Sequence, residues 1–197
     1  MLIGVFCSTA FSLGNLVMIY HALPALLLQS PSSPLLLQQW QLLLHRGHYL
    51  FPGSAILAAS AFFFAGRQMS SAQTLYFAAA ALNLAVIPFT LIFVAPVNVE
   101  LLQRAARARK GIAEVKRSAE TGFRALDDGE LIGWWGTLGA IRAVFPLGGI
   151  VMAMAGAGFE STVGGGGVLS TESVSLALGT AVFIFMVVRF GLPVVQV

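Results

Sequence analysis

The chain has 197 residues, of which 57% are hydrophobic and only 10% charged, with a formal net charge of +3. Soluble domains carry about 25% charged residues, so this composition excludes an ordinary soluble fold and points to an integral membrane protein. The single cysteine, Cys7, excludes an intrachain disulfide and any redox scheme that needs a pair of thiols.

A hydrocarbon core about 30 Å thick needs ~20 apolar residues per helix. Five segments reach or approach that length: 2–28, 48–65, 74–97, 134–157 and 174–188. They are continuous apolar runs rather than alternating ones. This predicts an all-α membrane bundle of four to five transmembrane helices, a single domain over 1–197, and not a barrel. The first segment lacks a positive n-region, and its apolar run is too long for a usual signal peptide. It is read as a retained helix, and Asn15 and His21 within it suit a packed one. Residues 30–34, Ser-Pro-Ser-Ser-Pro, form a break. Residues 35–44 then read as a short amphipathic or interfacial piece leading to Arg46 and Gly47, ahead of the second span. Residues 66–71 turn the second span into the third. Residues 99–133 read as a charged helical excursion interrupted at Gly111, with Glu100–Arg104 and Glu120–Arg124 spaced i,i+4 as on a solvated helix. Residues 164–167 are a run of glycines. No Gly-Lys-Ser/Thr follows, so this is not a phosphate cradle.

Charge placement gives the topology. Seven of the eleven Lys and Arg residues lie between 99 and 133, and Arg46 and Arg189 fall on the same side if there are five spans. The positive-inside rule then sets the N-terminus outside or lumenal and the C-terminus in the cytosol, with an endomembrane as the expected host. Glu100, Glu114, Glu120, Asp127, Asp128 and Glu130 nearly balance the basic segment, which argues against a nucleic-acid surface. Trp40, Tyr49, Trp134 and Trp135 fall near the cytosolic boundary, as an aromatic belt would.

Arg142 interrupts the fourth span. In hydrocarbon its charge costs ~2.5–3.5 kcal/mol or more, and an intramembrane ionisable group marks a functional site by default. It lies about 12 Å of helical rise beyond Trp134, deep for a side chain that merely reaches the headgroups. Counting turns puts His21, His48, Tyr49, Thr90, Asn98 and Arg142 in the same half of the membrane, where they have the makings of a pocket. Plainer roles stand beside this one. His45 and His48 suit an interface, His21 a core hydrogen bond, Asn98 a helix end, and Thr90 a bond back to its own helix. No His-x-x-x-His or Glu-x-x-His spacing occurs, so no metal site is expected.

The run from Pro88-Phe89-Thr90 through Pro96, Asn98 and Leu101-Leu102, followed by Trp134/Trp135, Arg142 and Phe145-Pro146, resembles the signature of the anthrone oxygenase family. Tyr49 and Pro52-Gly53-Ser54-Ala55 give a weaker echo. The resemblance covers roughly residues 14–157. It implies a small multi-pass membrane enzyme that oxidises a polyketide anthrone, or a similar polycyclic phenol, to an anthraquinone with molecular oxygen. Removing a proton from the anthrone ring carbon gives an anion that reacts with oxygen directly, so no cofactor is expected and oxygen is the co-substrate. From the residues themselves, His48 or His21 is the expected base, and Arg142 holds the oxyanion. Asn98, Thr90, Tyr49 and Trp135 are expected to bind or orient a hydrophobic aromatic substrate, with Phe51, Phe89 and Phe145 as further walls. Self-association is left open. The alternative is a non-catalytic membrane protein, a small carrier or assembly partner, with Arg142 as an interhelical lock.

Overall fold

The computed structural model describes residues 1–29, 33–110 and 122–163. Within them the chain is helical apart from short connections, and no strand occurs. The elements are α1 (Leu2–Val17), a π turn (Met18–Ala22), α2 (Leu23–Gln29), α3 (Ser33–Gln68), α4 (Gln73–Phe89), a second π turn (Thr90–Val94), α5 (Ala95–Arg109), a short 3-10 turn (Gly122–Ala125) and α6 (Asp128–Val163). Four continuous stretches are long and apolar enough to cross a membrane: Leu2–Leu28, Pro34–Gln68, Gln73–Arg109 and Asp128–Phe159. This is a multi-pass α-helical membrane protein. The expected fifth segment, 174–188, and the glycine run 164–167 lie outside the described residues, as do Gly111 and residues 30–32 of the break expected at 30–34; Ser33 and Pro34 instead begin α3.

Each π turn ends two residues before a proline, Pro24 in one case and Pro96 in the other. Proline lacks an N–H, and its ring crowds the carbonyl four residues back. A widened turn relieves that crowding without ending the helix. Each of these two stretches therefore continues as helix past its proline.

Two compact units emerge. Residues 1–9, 55–84 and 146–163 form the first. Its core is built on alanine: Ala58, Ala59, Ala65, Ala72, Ala79, Ala80 and Ala153 surround Phe62 and Tyr76. Small residues let helices approach closely where lipid gives no hydrophobic drive to associate. Gly149 shows the limit of that approach, since a Cβ there would collide with the Asn83 amide and stand 3.1 Å from the Ala79 carbonyl oxygen. Asn83 is fully buried, donates to that carbonyl at 2.9 Å, and accepts from the Ser8 hydroxyl at 2.9 Å.

Residues 10–54 and 85–145 form the second unit. Leu36, Leu37, Trp40, Val97, Leu101, Leu131, Ile132 and Trp135 make its core. Trp40 and Trp135 meet edge to face with ring centroids 5.9 Å apart. They are core residues and not a belt, while Trp134 is exposed. Burial of Leu36, Leu37 and Trp40 also explains why 35–44 is not a separate interfacial piece. It continues as α3 straight through Arg46 and Gly47, because packing of this apolar face outweighs the ~1 kcal/mol that glycine costs a helix. Asp127 and Glu130 cap α6 reciprocally: each backbone N–H donates to the other's carboxylate, at 3.0 and 2.7 Å.

The Glu100–Arg104 pair departs from the expected solvated helix. Glu100, Arg104 and Asp128 are all buried. Arg104 donates to Glu100 at 2.9 Å, to Asp128 at 3.0 Å and to the Leu126 carbonyl at 2.9 Å. The i,i+4 spacing is the same for an exposed pair and a buried one; the second carboxylate, on the first turn of α6, makes this a buried cluster joining α5 to α6. Glu120 and the side chain of Arg124 lie outside the described residues.

Candidate functional site

The second unit encloses a cavity of about 320 Å³, within the range of pockets that hold small organic ligands. Its wall comes from every long stretch of the unit. Phe11 and Met18 line it from the first stretch and Gly47, His48, Phe51 and Pro52 from α3. Val86, Thr90, Leu91, Val94 and Asn98 line it from α4 to α5, and Trp135 and Arg142 from α6. The lining is mostly apolar. Of these side chains, His48, Pro52 and Leu91 are exposed, so the cavity opens between α3 and the π turn that begins at Thr90. The exposed residues His45 and Arg46 immediately precede this mouth on α3.

Arg142 is the one Lys or Arg among the described wall residues. It is buried, 9% exposed. Its Nη2 donates to Asn15 Oδ1 at 2.6 Å, and Asn15 Nδ2 donates to the Phe11 carbonyl at 2.8 Å. One helical turn earlier on α1, the Ser12 hydroxyl donates to the Ala143 carbonyl at 3.1 Å. Ser12 and Asn15, three residues apart, share a face of α1 and tie it to α6 at Arg142. The guanidinium carbon stands 5.6 Å from the Phe11 ring centre and 5.8 Å from that of Phe51. The two rings meet edge to face at 5.5 Å. Desolvated cation–π contacts reach about 2 kcal/mol, which offsets part of the cost of keeping the charge here. The Nε of Arg142 is buried and has no hydrogen-bond partner among the described residues.

Phe51 depends on two glycines. A Cβ on Gly47 would stand 2.7 Å from its ring and one on Gly14 3.1 Å. A side chain at Gly47 would therefore displace the ring from Arg142, and one at Gly14 would crowd it.

The cavity brings together His48, Thr90, Asn98, Trp135 and Arg142. It does not bring in His21, which is exposed in the first π turn and does not line the wall. The side chain of Tyr49 lies outside the described residues. Thr90 donates to the Val86 carbonyl at 2.7 Å, a bond within its own helix. Asn98 Oδ1 accepts from Trp135 Nε1 at 2.7 Å, and this bond joins α5 to α6 at the wall. Phe89 and Phe145 pair with each other at 5.4 Å and are not wall residues. The residues that sequence reasoning missed are Phe11 and Asn15. Asn15 carried a usable signal, because a polar side chain within an apolar span requires a partner, but nothing in its spacing names Arg142.

Comparison with known proteins adds the chemical context. The family description "Anthrone oxygenase" matches residues 40–152. The anthrone oxygenase of Claviceps purpurea is 34% identical over 82% of this chain and 88% of its own length. The monooxygenase hypC of Dothistroma septosporum is 33% identical over 60% of this chain and 61% of its own. The noranthrone monooxygenase of Aspergillus flavus is 28% identical over 61% and 55%. No solved structure matches. The matched residues include most of the cavity wall, from His48 to Arg142. By this match and by its relatives the chain belongs to the anthrone oxygenase family and is, by that resemblance, an oxidoreductase-like enzyme.

Proposed function

We propose that this chain oxidises an anthrone, or a similar polycyclic phenol, with molecular oxygen and without a metal or flavin. The observation that carries this reading is the Arg142 guanidinium in the wall of a mostly apolar cavity that no carboxylate lines among the described residues. Such a group stabilises an oxyanion strongly, because little water screens it and it is already in place. The substrate enters as a flat, hydrophobic molecule. One methylene C–H bond breaks and its proton goes to His48 at the mouth. The electron pair left on the ring delocalises onto the carbonyl oxygen, which sits on Arg142. The electron-rich carbon then forms a C–O bond with oxygen, giving a peroxide once it is protonated. Loss of water then breaks the remaining C–H bond at that carbon together with the O–O bond and leaves the second carbonyl. One oxygen atom ends in the quinone and the other in water, so the balance needs no other reductant.

The test is anthrone oxidation by membranes carrying the full chain, measured over boiled membranes because anthrones autoxidise. A general base contributes ~10²–10⁴-fold. His48→Ala is expected to lose activity on that scale and to recover part of it at higher pH, where the anthrone ionises unaided. Full activity in His48→Ala at neutral pH would remove His48 as the base. The Arg142–Asn15 bond favours a second reading, in which Arg142 is only an interhelical lock. On that reading a folded Arg142→Lys protein keeps the parent's rate.

The same reading sets the orientation. Arg46 in the first half of α3 and Arg104, Arg107, Arg109 and Lys110 on α5 and just after it lie on one side by chain order, with Arg67 at the far end of α3. The positive-inside rule assigns the first side to the cytosol and the N-terminus to the other. With Cys7 replaced, single cysteines at Ser71 and Lys110 should react with an impermeant thiol reagent from opposite faces. Reaction from one face would overturn the assignment.

A further inference from the structure

The partner of Arg142 is an amide where a carboxylate of nearly the same shape would fit. Asn15 is fully buried. Its Nδ2 donates to the Phe11 carbonyl, so the amide is held with Oδ1 facing Arg142 Nη2 at 2.6 Å. That bond aims the guanidinium without neutralising it. The neighbouring groups leave the charge intact as well. Phe11 and Phe51 offer ring faces, Ser12 is bonded to the Ala143 carbonyl, and no Asp or Glu lines the cavity among the described residues. Glu100 and Asp128 are bonded to Arg104 instead. Within this wall the buried Nε still has a hydrogen to donate.

We propose that Asn15 is a positioning residue whose neutrality leaves Arg142 its full charge, so that the cavity takes its ligand as an anion, a flat phenolate or enolate with its oxygen on the guanidinium. Asn15 lies outside the residues matched to the family. The proposal rests on the functional reading only for the flat aromatic class of the ligand; the preference for an anion follows from the charge arrangement. An aspartate at this position would form an ion pair with Arg142 and cancel the field that the ligand meets.

The experiment is a pH titration of 2-hydroxyanthraquinone bound to the detergent-solubilised full chain, since its visible absorbance separates phenol from phenolate. A nearby opposite charge favours an ionised group by about 1–3 pH units. The bound dye is expected to ionise that far below the free dye. Asn15→Asp should abolish this displacement and weaken phenolate binding about 10- to 100-fold, the range of a lost hydrogen bond to a charged group. Binding of unsubstituted anthraquinone should stay unchanged in that variant. Asn15→Ser, shorter but neutral, should keep the preference for the anion. Parent protein that binds phenol and phenolate alike overturns the proposal without recourse to any variant. So does Asn15→Asp with an undiminished preference for phenolate. The readout needs no turnover, so loss of the proposed oxygenase activity alone leaves this inference standing.

Discussion

Arg104 and Arg142 are both buried arginines in the same unit, and they are held in opposite ways. Arg104 lies between two carboxylates and a carbonyl, so its charge is compensated within the protein. It joins α5 to α6 and does not line the cavity. Arg142 has an amide, two aromatic faces and a hydrogen-bond donor left over. Burial alone does not set the two apart. What distinguishes them is whether the surrounding side chains cancel the charge.

The comparison breaks most visibly at Arg104. Removing one member of a buried ion cluster typically costs ~3–5 kcal/mol. Arg104→Met is therefore expected to lower the stability of the solubilised protein by about that amount, read from the denaturation midpoint. The fraction that stays folded should bind anthraquinone normally. A midpoint equal to that of the parent would mean that the cluster does not hold α5 to α6.

A smaller effect sharpens the cavity side of the comparison. Thr90 is a wall residue, but its hydroxyl donates within its own helix. Thr90→Val keeps the shape and removes that bond, whose net worth is ~0.5–1.5 kcal/mol. Turnover is expected to fall by no more than ~10-fold, with stability changed by about 1 kcal/mol. A loss of ~10²-fold or more in initial rate would show that Thr90 touches the substrate.

Much of the architecture was legible because apolar length is local. The first four apolar runs each lie within one of the four long helical stretches. Counting turns also put His48, Thr90, Asn98 and Arg142 at one depth, and the cavity wall contains all four. His21, placed by the same count, lies off the wall: depth is set by distance along a helix, but facing is set by rotation about it, and the π turn at Met18–Ala22 changes that rotation. The helix through Gly47 went unread because propensity is local while burial of Trp40 is not. Asn15 was visible as an intramembrane polar group, yet its partner lies 127 residues away. Such pairings come from how helices pack, which apolar periodicity within each helix does not encode.

The central claim is that the guanidinium of Arg142, and not merely a buried positive charge, stabilises the reacting oxygen. Arg142→Lys keeps the charge but loses the planar fork and the donors on either side of it. The measurement is the rate of anthrone oxidation by this variant in membranes, over a boiled control, alongside its denaturation midpoint. The account predicts a folded protein slowed by ~10²-fold or more, the scale for losing one such oxyanion donor. A folded Arg142→Lys protein with the parent's rate would contradict it and reduce Arg142 to a structural tie.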